Sequence, residues 1–123
     1  MRLYRPIGPQ ELELIAESGF KAFPPRLPEQ PIFYPVLNFL YAEQIARDWN
    51  STREDTGLLG YVTAFDVADA YASRFERRIV GARQHEELWV PAEDLEEFNR
   101  HILGSIEVVA TYRNGQRVVQ DPS

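Results

Sequence analysis

Apolar positions change their period several times along this chain, and each change marks an element. Leu3-Tyr4-Arg5 ahead of Pro6 reads as a short first strand, and Gly8-Pro9 turns the chain into a helix. From Glu11 to Ser18 the apolar residues Leu12, Ile15 and Ala16 recur at helical spacing, acids occupy the first turn, and Gly19 stands where a helix stops. Asn38 heads a second helix whose stripe is Leu40, Ala42, Ile45, Ala46 and Trp49, running to Asn50. Gly60 to Val67 is β-branched and aromatic with rough alternation, the pattern of a strand. Asp69 to Phe75 reads as a helical turn or a further short segment, and Arg77 to Val80 as an edge strand that Gly81 turns. Ala92 to Ile102 returns to helical spacing, with Leu95, Phe98 and Ile102 on one face, and Gly104 as its stop. Ile106 to Tyr112 predicts a closing strand, onto which Asn114-Gly115 folds Arg117-Val118-Val119 back as a hairpin.

Between Ala22 and Pro35 the pattern breaks, because five of the nine prolines fall there. Proline lacks the N–H that a helix or a central strand requires, so this stretch predicts a loop. Phe20, Phe23, Leu27, Ile32, Phe33 and Tyr34 give it too much apolar surface for a solvated tether, and a proline-stiffened loop loses less entropy when it packs over a site. Ile32-Phe33-Tyr34 has room for a short strand before Pro35. With no internal repeat and no low-complexity segment, the chain reads as one compact α+β domain over residues 1–119 with a frayed tail at 120–123. The expected architecture is mixed or antiparallel sheets of five to seven strands with about three helices.

Composition narrows the chemistry more than the fold. A length of 123 residues supports a core without staples, and the absence of cysteine excludes disulfides, thiolate catalysis and cysteine-based zinc sites. No apolar run approaches the roughly 20 residues of a membrane helix, so a soluble, cytoplasmic protein with no membrane partner is expected. A net charge of −6 argues against general nucleic-acid affinity. Two histidines, His85 and His101, without a His-Glu-x-x-His spacing predict no metal site. Neither a glycine-rich phosphate loop nor a Gly-x-Ser-x-Gly elbow is present.

The chemistry-bearing residues that remain are spread out. In Gln84-His85-Glu86-Glu87-Leu88-Trp89-Val90-Pro91, adjacent strand residues point to opposite faces, so Glu87 shares a face with His85 and Glu86 does not. Such a pair suits a hydrogen-bonding or general-base role, although paired glutamates also serve simply as a solvated strand entrance. Arg5 suits either an anion or a salt bridge, and Tyr34 either the core or a flat ring that stacks on a ligand. Asn38 heads a helix, and His101 balances a helix dipole.

Taken together, Tyr4-Arg5 on the first strand, Phe33-Tyr34-Pro35-Val36-Leu37-Asn38 leading into Tyr41-Ala42-Glu43-Gln44-Ile45-Ala46, the strand from Tyr61 to Val67, and Glu87-Leu88-Trp89-Val90-Pro91 resemble small bacterial ADP-ribosyltransferase-like domains. The length is similar to that of the rifampin ADP-ribosyltransferases. The segments Phe-Pro-Pro-Arg-Leu-Pro and Trp-Val-Pro-Ala-Glu-Asp-Leu resemble small bacterial proteins with an ADP-ribosylation-related name. The resemblance spans about residues 3 to 112 and implies binding of nicotinamide-adenine dinucleotide (NAD) as substrate, with transfer of ADP-ribose to an unknown acceptor, protein or small molecule. It implies that Arg5, with Tyr4 and Asn38 nearby, binds the dinucleotide's phosphates or ribose, that Tyr34 lies near the nicotinamide, and that Glu87, with His85, is catalytic. Two positions depart from the pattern. Tyr34-Pro35-Val36 replaces the usual Ser-Thr-Ser strand, and His85 replaces the Glu or Gln of arginine-modifying enzymes. The competing reading is a non-catalytic acidic binding or regulatory protein, motivated by Glu93, Asp94, Glu96 and Glu97 on one helix.

Overall fold

The computed structural model describes residues 1–81 and 85–118. It is an α+β arrangement of two antiparallel sheets and four α-helices, and every strand pairing in it is antiparallel. The larger sheet has the order β1 (Arg2–Ile7), β3 (Leu59–Val67), β6 (Ile102–Arg113) and β7 (Gln116–Arg117). The smaller has the order β2 (Ile32–Phe33), β5 (Glu86–Pro91) and β4 (Glu76–Ile79). The helices are α1 (Pro9–Glu17), α2 (Phe39–Asp48), α3 (Asp69–Ala72) and α4 (Leu95–Arg100).

Alternation along β1 and β3 divides the core in two. Leu3, Ile7, Phe65 and Val67 face Phe23, Phe33, Leu88, Val90 and Phe98, so the larger core fills the space between the sheets and beneath α1, α3 and α4. Val62, on the opposite face of β3, meets Ala42 and Ala46 of α2 together with Val36, Ala110 and Tyr112. Because β3 is covered on both faces, Val62 through Phe65 are all buried, which explains why its alternation is only rough. Phe98 lies within 5.6 to 6.2 Å, centroid to centroid, of Phe33, Phe65, Tyr71 and Phe75, an aromatic cluster that joins α4 to both sheets.

The helix expected as far as Ile102 is shorter than its periodicity suggests. A 3₁₀ turn occupies Ala92–Asp94, α4 stops at Arg100, and Ile102 already belongs to β6, where it pairs with Val67. Between Ala64 and Asp66 the ladder partner moves from Glu107 to Leu103, so β6 carries extra residues there. Gly104, at φ 72°, is part of that bulge and not a helix stop. The apolar stripe of α2 is also narrower than expected. Ala42 and Ala46 are buried, whereas Leu40 and Trp49 are 64% and 56% exposed. Small residues face the sheet because α2 lies close to it: a Cβ on Gly60 would collide with the Ala46 carbonyl oxygen.

The proline-rich loop is tied down at both ends. Asn99 clamps Phe23, accepting from its N–H at 2.9 Å and donating to its carbonyl at 3.0 Å, and Ala92 N–H donates to Pro31 O at 2.8 Å. At the far end of β6, Asn114 and Gly115 take positive φ and form the two-residue hairpin to β7. Val119 and the tail expected at 120–123, like Gln84, lie outside the described residues. No helix among the described residues is long and apolar enough to cross a membrane.

Candidate functional site: a cleft at the junction of the two sheets

Residue Val36 joins the sheets. On one side it exchanges two backbone hydrogen bonds with Tyr4, at 2.9 and 2.8 Å, and on the other it bridges to Glu87. Flanking bonds from Leu37 N to Glu86 O and from Leu88 N to Pro35 O, at 3.0 and 2.8 Å, hold it along β5. The pairings Ile32 with Pro91, Phe33 with Val90 and Val36 with Glu87 keep one register, so Tyr34 falls opposite Trp89. Paired antiparallel residues share a face. Phe33, Leu88 and Val90 therefore enter the core, and Tyr34, Glu87 and Trp89 stand together on the other face.

Those three side chains and Arg5 line one cleft of about 790 Å³, within the size range of small-molecule sites. The Glu87 carboxylate accepts from Tyr41 Oη–H at 2.6 Å and from Trp89 Nε1–H at 3.2 Å. Among the described residues no cation pairs with it. Burial first, and the neighbouring Glu87 carboxylate second, push the Tyr41 phenol well above its ordinary range, so it stays a neutral donor at physiological pH. Tyr34, 38% exposed at the mouth, meets Trp89 edge to face at 5.2 Å, and the Arg78 guanidinium covers Trp89 at 3.8 Å.

Two arginines also line the cleft. Arg5, on the core-facing side of β1, donates from Nε and Nη2 to Glu11 at 2.6 and 3.0 Å and lies 4.7 Å from the centroid of the Phe33 ring. Arg26 of the proline loop reaches the same carboxylate at 3.4 Å. Burial alone would raise the Glu11 carboxyl, but the two guanidiniums outweigh it and hold the group below its ordinary range.

Arg5, Tyr34 and Glu87 thus converge, and three other candidates lie elsewhere. Tyr4 points to the opposite face of β1 from Arg5 and packs edge-on against Phe39 at 5.8 Å. Asn38 uses its amide oxygen to cap α2, accepting from Leu40 and Tyr41 N–H at 2.7 and 3.3 Å. His85 stacks on Tyr41 at 4.3 Å with its Nε2 3.2 Å from Gln44 Oε1, so it supports Tyr41 without lining the cleft. His101 closes α4 by stacking on Tyr71 at 3.7 Å.

Tyr41, Trp89, Glu11 and Arg26 are the residues that sequence reasoning passed over. Trp89 was open to it, since it stands two positions after Glu87 on the same strand face. Tyr41 and Arg26 depend on long-range packing, and Glu11, six positions after Arg5, reads locally only as a first-turn acid of α1. No group of three or more potential metal ligands occurs among the described residues. Compared with known proteins, the chain matches no family model, no curated protein and no solved structure.

Proposed function

We propose that the chain is an ADP-ribosyltransferase-like domain that binds NAD in this cleft and transfers ADP-ribose to an acceptor yet to be identified. The observation that carries the reading is the convergence of Arg5, Tyr34 and Glu87, residues far apart in sequence, on one cleft. In this reading Arg5 faces the phosphates, and Tyr34 and Trp89 offer flat surfaces to the nicotinamide ring. Glu87 faces the nicotinamide ribose. When the glycosidic bond breaks, nicotinamide leaves with the bonding electron pair and positive charge develops on the sugar. The acceptor's nucleophile then bonds to the anomeric carbon and gives up its proton. A carboxylate already oriented by Tyr41 and Trp89 stabilises that charge without reorganising, which is how preorganised electrostatics accelerates a reaction. The alternative of an acidic docking helix has weaker support, since two of its four carboxylates already pair internally, Glu96 with Arg100 and Glu97 with Arg74.

Titration with NAD, followed by melting temperature or protein resonances, tests binding; absence of any response up to millimolar concentration overturns the proposal. Glu87→Gln should keep binding and lower NAD turnover about 10²- to 10³-fold, the effect of removing one preorganised electrostatic group. Unchanged turnover removes Glu87 from the chemistry.

A further inference from the structure

One carboxylate, Glu11, serves two guanidiniums, those of Arg5 and Arg26, and the cluster keeps a net charge of +1. The three side chains are 12%, 10% and 18% exposed for Arg5, Arg26 and Glu11, so water does little to disperse that charge. Arg26 carries a buried Nε–H without a hydrogen-bond partner among the described residues. An unpaired donor on a buried cation is costly, and in a native structure such a group marks a strained site, a functional role or a place where a water or an ion binds. The cluster adjoins the start of α1, whose N-cap, Gly8, offers no side-chain cap and whose first position is Pro9. Free N–H groups and the helix dipole at such a start favour an anion, and Gly8 and Glu11 border the same cleft as both arginines. Burial, reinforced by the charge of Arg5, lowers the proton affinity of Arg26, in keeping with a local excess of positive charge.

We propose that Arg5, Arg26 and the first turn of α1 form a binding site for the phosphate groups of a small ligand, with Glu11 as a built-in counter-ion that limits its affinity. Planar guanidiniums match phosphate oxygens bidentately, and two of them flanking one carboxylate suit a diphosphate better than a single phosphate. The site deepens the proposed function, in which Arg5 already faces the phosphates, by adding Arg26, Glu11 and the first turn of α1. It requires no nicotinamide and no reaction, so it is tested separately from group transfer.

Calorimetric titration with inorganic pyrophosphate, orthophosphate and ADP tests it directly. Pyrophosphate and ADP should bind, orthophosphate more weakly, and all three should weaken with added salt. Arg26→Gln should reduce pyrophosphate affinity about tenfold or more, as expected for loss of charge-assisted hydrogen bonds, and Arg26→Lys should restore part of it. Glu11→Gln, which raises the cluster's charge by one, should tighten binding. If wild-type protein binds no pyrophosphate up to about ten times the millimolar range, or folded Arg26→Gln binds it unchanged, the site does not exist. Pyrophosphate binding without NAD turnover would sink the proposed function and leave this site standing. NAD turnover with rate and KM unaltered in Arg26→Gln would do the reverse.

Discussion

At the scale of single residues, the orientation of Glu87 depends on a hydroxyl. Tyr41 supplies the shortest hydrogen bond to Glu87, and Tyr41→Phe deletes that donor while preserving the ring on which His85 stacks. The substitution should cost about 1 kcal/mol in urea unfolding, the net worth of one such bond. If the proposed chemistry holds, it should also lower kcat for NAD turnover with little change in KM, because Glu87 would lose its orientation while the binding surfaces remain. His85 provides the contrast. It touches Tyr41 and Gln44 only through a stack and one polar contact, so His85→Phe should retain most of the turnover. A general acid or base at that position would instead show a loss of about 10²- to 10⁴-fold.

Elements carry these residues into place, and α2 does so through its cap. Asn38→Ala should destabilise the protein by about 1 kcal/mol, and because Tyr41 lies in the turn that Asn38 caps, NMR should show the disturbance reaching Glu87. Crosspeak changes confined to α2 would show that the cap and the carboxylate are uncoupled. The cap, the hairpin at Asn114-Gly115 and the strand carrying Glu87 were legible in the sequence because each rests on local chemistry: a side chain that bonds its own backbone, two residues that accept positive φ, a period of two. The end of α4 was not, because Ile102 satisfies a helical period equally well and only its pairing with Val67 decides. Val36 shows the same limit in the site. Nothing around it in sequence reveals that it bonds to Tyr4 on one side and β5 on the other, yet this is what brings Arg5, Tyr34 and Glu87 to one cleft.

For the whole molecule, the Arg5–Glu11–Arg26 cluster links stability to pH. It ties β1, α1 and the proline loop together through one carboxylate, and its charge balance fails when that carboxylate is protonated. The folded protein holds Glu11 below its ordinary value of 4.5, so the unfolded chain binds the proton more readily. The resulting stability is therefore complete above about pH 5 and is lost as pH falls through 4.5 and below, leaving two buried guanidiniums without a counter-charge. Glu11→Gln imposes that loss at every pH. It should destabilise the protein by about 3 kcal/mol at pH 7, the scale for breaking one side of a buried ion pair, and flatten the acid limb of a stability profile taken by urea unfolding from pH 7 to 3. A variant that is weakened at pH 7 but keeps the wild-type acid limb would place the acid sensitivity in other carboxylates. Phosphate supplies an internal check on the same cluster. Pyrophosphate should offset part of the acid loss in the wild type, since it brings negative charge to the arginines as Glu11 gives its own up, and in Arg26→Gln it should offset much less.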